Sequence, residues 1–224
     1  MISRREIFAG FAAVPFAAAL DITGGERTSD ALGPEPQRKF TQLTGREMLR
    51  QRYFPNTTLT TSAGRKVRFY DDLLKDKIVI LNLMYADCDG ICPATTAKLK
   101  NVRQLLQKEV KHDIFIYSLT LNPEQDSPAA LKAYADMHGV NDPQWLFLTG
   151  KPDEVDLLRH KLGFADPDPV VDRDKSRHSG MLRYGNEPQC VWGTCQGSAE
   201  AEWIAQEIGF AIPRAMKRHP AVNE

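Results

Sequence analysis

The apolar positions of this chain change their period several times, and each change predicts an element. Residues 78–85 form an almost unbroken apolar run, the pattern of a strand buried on both faces. Helical spacing follows over 93–110, then a second strand pattern at 114–120. Next come a helix over 127–138, a strand over 145–149, and a helix over 152–162 with Pro152 in its first turn. A loop rich in Pro and Asp spans 165–176, and residues 181–184 make a short strand. Residues 198–208 form the last helix, with Trp203, Ile204 and Ile208 on its apolar face. Ahead of the first run, Thr44-Gly-Arg-Glu47 is a capping box opening a short helix. Residues 59–61 and 67–70 read as two strands around a turn at Ala63-Gly64, and 71–75 as one helical turn. Strands separated by helices of this length predict βαβ units. The expected class is α/β, a central sheet with helices on both faces and an N-terminal β-hairpin.

The first twenty residues differ in kind. The apolar run over 9–20 is too short for a bilayer core of about 30 Å, which takes about 20 residues as a helix. Arg4 and Arg5, the short apolar region, and small residues at Ala17 and Ala19 predict a bacterial export signal of the twin-arginine type. The alternative is an amphipathic or buried N-terminal helix. Export places the domain in the periplasm, anchored to the inner membrane if the leader is retained. The expected organisation is a leader at 1–20, a flexible tether at 21–43, a domain at 44–213 and a tail at 214–224.

Composition narrows the function. Of 224 residues 42% are hydrophobic and 26% charged, enough for one sizeable core. Lys and Arg together number 29, equal to Asp and Glu. A formal charge of zero speaks against a nucleic-acid-binding or polybasic membrane-surface role.

The chemistry concentrates at Cys88 and Cys92, three residues apart where the first strand gives way to the first long helix, with Pro93 directly after. A helix start supplies partial positive charge and unpaired N–H groups, which favour thiolate over thiol. That placement suits metal or redox chemistry, with a structural disulfide as the alternative. Disulfides persist in the periplasm, so Cys88, Cys92, Cys190 and Cys195 allow three pairings. Cys190 and Cys195 flank Val-Trp-Gly-Thr, read as a tight turn closed by a small-loop disulfide. The alternative is a second thiol pair that relays electrons or a metal ion to the first. Trp192 and Trp203 are assigned to packing, and Asp87 and Asp89 to solvated loop positions that could instead steer a basic partner.

Residues 52–213 resemble the SCO/SenC proteins, thioredoxin-like copper-handling factors of cytochrome c oxidase assembly. The resemblance rests on Tyr85-Ala-Asp-Cys-Asp-Gly-Ile-Cys-Pro93, Leu119-Thr-Leu-Asn-Pro-Glu-Gln-Asp126, Leu146-Phe-Leu-Thr-Gly150 and His178. It implies a thioredoxin-like fold and a copper site made by Cys88, Cys92 and His178. It also implies a metallochaperone whose partner is the copper-bearing subunit of the oxidase, alongside periplasmic copper carriers or thiol reductants. Two thiolates and an imidazole suit copper, because soft sulfur donors select Cu(I) and the imidazole accommodates Cu(II). The same set could hold Zn²⁺. The alternative function is a periplasmic thiol–disulfide oxidoreductase in which Cys88 attacks and Cys92 resolves. A redox or copper sensor ranks last. Met181 is read as core filling rather than as an axial thioether ligand. His112, His138, His160 and His219 are read as structural or exposed.

Overall fold

In the computed structural model, residues 43–173 and 180–217 are described. The expected leader, the tether up to residue 42, His178, His219 and the end of the tail lie outside them. Thr44 opens α1 (Gly45–Tyr53) with the capping box its sequence predicts. β1 (Thr58–Thr61) and β2 (Lys66–Arg68) form the antiparallel hairpin. The segment expected to be one helical turn is a π-helical turn, Phe69–Leu74. It places Phe69, Tyr70, Leu73 and Leu74 in the core.

β3 (Ile78–Met84) is buried at all seven positions. Alternation sends Ile78, Ile80 and Met84 to one core and Val79, Leu81 and Leu83 to the other. β4 (Ile114–Thr120) pairs with it in parallel, and β5 (Trp145–Thr149) pairs in parallel with β4. β6 (Met181–Asn186) runs antiparallel on the other side of β3, and β7 (Val191–Gln196) closes that edge. The sheet order is β2-β1-β5-β4-β3-β6-β7, a mixed seven-stranded sheet.

α2 (Ile91–Glu109), α3 (Pro128–Met137) and α6 (Ala201–Phe210) contribute Leu99, Leu131 and Ile204 to the first core. α4 (Pro152–Lys161) contributes Val155 and Leu158 to the second. A polar strip crosses the first core. Ser118 donates to Asn82 Oδ1 at 2.7 Å, and Trp145 Nε1 donates to Ser118 at 3.0 Å. These groups are buried and satisfy one another, as a low-dielectric interior requires.

Four expectations are corrected. The segment read as a tight turn between Cys190 and Cys195 is strand β7. The loop over 165–176 contains a short helix, α5 (Pro169–Arg173), held by ion pairing of Arg159 with Asp172. The last helix runs to Phe210, two residues beyond the expected end. Trp203 is 45% exposed and is not part of that helix's apolar face, which carries Ile204, Ala205 and Ile208. Trp192 does pack: its ring lies 4.3 Å from that of Phe54.

Candidate functional site

β3 ends at Met84, and the chain turns through Tyr85, Ala86 and Asp87 to Cys88. Gly90 then caps α2 with no side-chain bond, so Cys92 sits in the helix's first turn, one residue before Pro93. The helix begins two residues earlier than its pattern predicts, which brings Cys92 within it. Both thiols are buried in the α2 core, Cys88 at 8% exposure and Cys92 at 1%. Asp87 and Asp89 are exposed on either side.

The thiols differ electrostatically. Burial pushes Cys88 up, but hydrogen bonds outweigh it and hold the thiol below the ordinary cysteine value. They come from the Cys92 thiol, the backbone N–H groups of Cys92 and Gly90, and the Tyr85 hydroxyl. Cys92 is pushed up to about 12, first by burial and then by donating to Cys88. Tyr85 is held up at about 12 by its hydrogen bond to Cys88 and by burial. The arrangement favours ionisation of Cys88 over Cys92, with the Cys92 thiol donating to the Cys88 sulfur. Such a pair can exchange with a disulfide or present two sulfurs to one soft metal ion.

The loop is braced from β4. Leu121 N–H donates to Met84 O at 2.7 Å. Asp126, 3% exposed, accepts from Ala86 N–H at 3.0 Å and from the Thr120 hydroxyl. Asn122 N–H in turn donates to Thr120 Oγ1 at 2.8 Å. The segment 119–126 thus fixes the backbone immediately before Cys88. Behind Cys92, Thr96 and Tyr134 share a 3.0 Å hydrogen bond in the core.

The far wall is made by the start of β6. Gly180 has φ +58, and a Cβ there would overlap Cδ1 of Ile91, which lies between the two cysteines in sequence. Gly197 N–H donates to Gly180 O at 2.9 Å, tying the end of β7 to the same wall. His178 lies outside the described residues. Among the described residues no cluster of three or more His, Cys, Asp or Glu side chains is placed to hold a metal ion.

The other candidates separate from the thiol pair. Leu182 belongs to the α2 core, so Met181, its neighbour on β6, faces the opposite side of the sheet from Cys88 and Cys92. That placement removes it as an axial ligand. All four cysteines are free. Val191 to Cys195 is four extended steps, about 13 Å, and a disulfide needs Cα atoms roughly 4.4–6.8 Å apart. A Cys190–Cys195 bridge is therefore excluded by β7 itself. Cys190 adjoins Val191, opposite Asn186, which pairs with Ile78 at the start of β3, whereas Cys88 follows its end. That separation removes Cys190 from any relay. Cys195 is a core thiol pushed up to about 11 by burial and by Glu207. His112 is exposed, His138 packs 4.3 Å from the Tyr134 ring, and His160 lies beside Asp156.

Sequence reading does not single out Asp126 or Tyr85, although both lie in the quoted motifs. The one available signal is an Asp directly before Ser127, the α3 N-cap, where the chain leaves the sheet.

Comparison with known proteins places this geometry. Residues 46–209 match the family model SCO1/SenC. The SCO1 protein homolog of Bacillus subtilis is 32% identical over 93 residues, 42% of this chain and 47% of that protein. The matched stretch spans 47% of that protein and 40% of two SCO2-like proteins of Rickettsia. Yeast Sco1, solved with copper bound, superposes with TM-score 0.55 at 23% identity, covering 75% of this chain and 94% of that one. BsSco, described as a Sco-family member with a disulfide switch, superposes with TM-score 0.57 at 24% identity, covering 69% and 90%. The fold is thioredoxin-like. A dithiol on the β3–α2 junction of this fold, matched by the family model from α1 to α6, establishes that the chain belongs to the SCO1/SenC family.

Proposed function

We propose that this protein is a copper metallochaperone that binds one copper ion through Cys88, Cys92 and His178 and passes it to the binuclear centre of cytochrome c oxidase. The observation that carries this reading is the thiol pair itself. Two sulfurs on one short loop, one held below the ordinary cysteine value and the other hydrogen-bonded to it, make a soft donor set suited to Cu(I). An imidazole would complete it. His178 precedes Gly180 by two residues in the sequence. Gly180 packs against Ile91, between the cysteines, and that contact supports His178 as the third ligand. The copper-bound yeast Sco1 and the oxidase-assembly description of BsSco support the cargo and the recipient. The leader supports export to the periplasm, where the copper-bearing subunit of the oxidase and thiol reductants would be the partners.

The inequality of the two thiols favours a second activity on the same residues. As thiolate, Cys88 attacks one sulfur of a partner disulfide and expels the other, which takes up a proton. Cys92 then attacks the Cys88 sulfur, closing the intramolecular disulfide and releasing the partner dithiol. Two electrons pass from this protein to its partner, leaving a recipient reduced and able to accept copper.

Anaerobic copper titration of the reduced protein tests the carrier reading. One equivalent should bind tightly, and His178→Ala should weaken binding while leaving disulfide exchange intact. Binding indifferent to His178, with exchange retained, would leave only the oxidoreductase.

A further inference from the structure

A cavity of about 440 Å³ lies among the β1–β2 hairpin and the starts of α3 and α4. Register sets Thr149 opposite Thr60, and Thr60 opposite Lys66. Partners in register share a face, so these three side chains stand in a row. Leu59 and Leu148 alternate with them and belong to the opposite core, which turns the row toward the α3 side, where all three line the cavity.

Three features of the lining point to a ligand. Thr149 is 6% exposed, and its Oγ1 is buried with no hydrogen-bond partner. Buried hydroxyls in native proteins are almost always bonded, so this one is a donor waiting for an acceptor. The start of α4 also opens here. Lys151 is its N-cap, and no side chain caps it, so first-turn N–H groups lack a side-chain acceptor. α3 differs, since Ser127 accepts from Ala130 N–H. Finally, Lys66 and Lys151 bring two exposed ammonium groups to the mouth.

Two carboxylates share the lining. That of Asp126 is already engaged by Ala86 N–H and the Thr120 hydroxyl. Glu154 stands at the mouth, so two carboxylates match the two lysines and the lining is formally neutral. A neutral lining with free hydrogen-bond donors suits a single small anionic group rather than a polyanion.

We propose that this cavity binds a small oxyanion, a carboxylate or phosphate group. The Thr149 hydroxyl donates to it, Lys66 and Lys151 flank it at the mouth, and the uncapped turn of α4 faces it. Helix N-termini favour anions through their unpaired N–H groups and dipole. This site uses neither cysteine and is independent of the copper reading.

The test is an amide-resolved NMR titration of the full-length protein with sodium phosphate and, separately, with sodium acetate, against sodium chloride at matched ionic strength. Saturable shifts at Gly150, Lys151, Asp153 and Glu154 with phosphate or acetate, absent with chloride, are expected. The anion that saturates identifies the group. Lys66→Ala, an exposed change that leaves the core untouched, and Thr149→Val should each weaken binding about tenfold, as loss of a bond to a charged group does. Saturation with neither anion, or undiminished binding in the folded Lys66→Ala variant, would overturn the proposal.

Discussion

The backbone N–H of Ala86 donates to Asp126 Oδ2 at 3.0 Å, joining the loop that carries Cys88 to the segment after β4. The carboxylate is buried and also holds the Thr120 hydroxyl. Replacing it with alanine leaves the buried Thr120 hydroxyl and the half-buried Ala86 N–H without this acceptor, at a cost of about 1–3 kcal/mol for the buried one. Asp126→Ala should lower stability in urea by at least that amount and shift the Cys88–Cys92 redox equilibrium measured against glutathione. Asp126→Asn keeps an acceptor and should recover most of both.

The two thiols should react unequally. The thiolate is the nucleophile, Cys88 is held below its ordinary value, and Cys92 is pushed up to about 12. Alkylation of the reduced protein at neutral pH, mapped by peptide mass spectrometry, should label Cys88 more than about tenfold faster than Cys92. Cys88→Ser removes a neighbouring thiolate that raises Cys92 and should speed labelling of Cys92.

Gly180 occupies the left-handed region at φ +58 against Ile91. A side chain there is strained by about 1–3 kcal/mol even before the contact with Ile91 is counted. Gly180→Ala should therefore lower the urea midpoint, and Ile91→Ala in the same chain should relieve only the contact part.

Glu187, 3% exposed, accepts from Arg46 Nε at 2.7 Å, the Tyr70 hydroxyl at 2.7 Å and Asp76 N–H at 2.8 Å. Burial pushes its carboxyl up, but these bonds outweigh it and hold it below the ordinary glutamate value. A lowered folded value means the stabilisation is complete above the unfolded value and is lost as pH falls through the folded one. Glu187→Gln should cost about 1–3 kcal/mol at neutral pH. The gap to the parent should close in acid, as followed by urea denaturation at stepped pH.

What can be read from sequence follows from where the physical signal is local. β3 is buried on both faces, so its apolar run marks it without help from the rest of the chain. The cysteines just past its end are visible for the same reason. β7 is not, because Val191-Trp-Gly-Thr-Cys-Gln is an edge strand without apolar alternation, its Gly193 lying under the ring of Tyr184 on β6. Reading it as a turn produces the Cys190–Cys195 disulfide that the strand forbids. Residue type alone puts Trp203 in the core, whereas helical phase turns it outward beside Ile204. Asp126 carries no local sign that its partner is forty residues away.

The central claim is a copper site built from two sulfurs and one imidazole, and X-ray absorption at the copper edge reads those ligands directly. The reduced protein loaded with one equivalent of Cu(I) should show two sulfur scatterers and one imidazole nitrogen, with the nitrogen lost in His178→Ala. A shell unchanged by that substitution, or one without two sulfurs, would contradict the account.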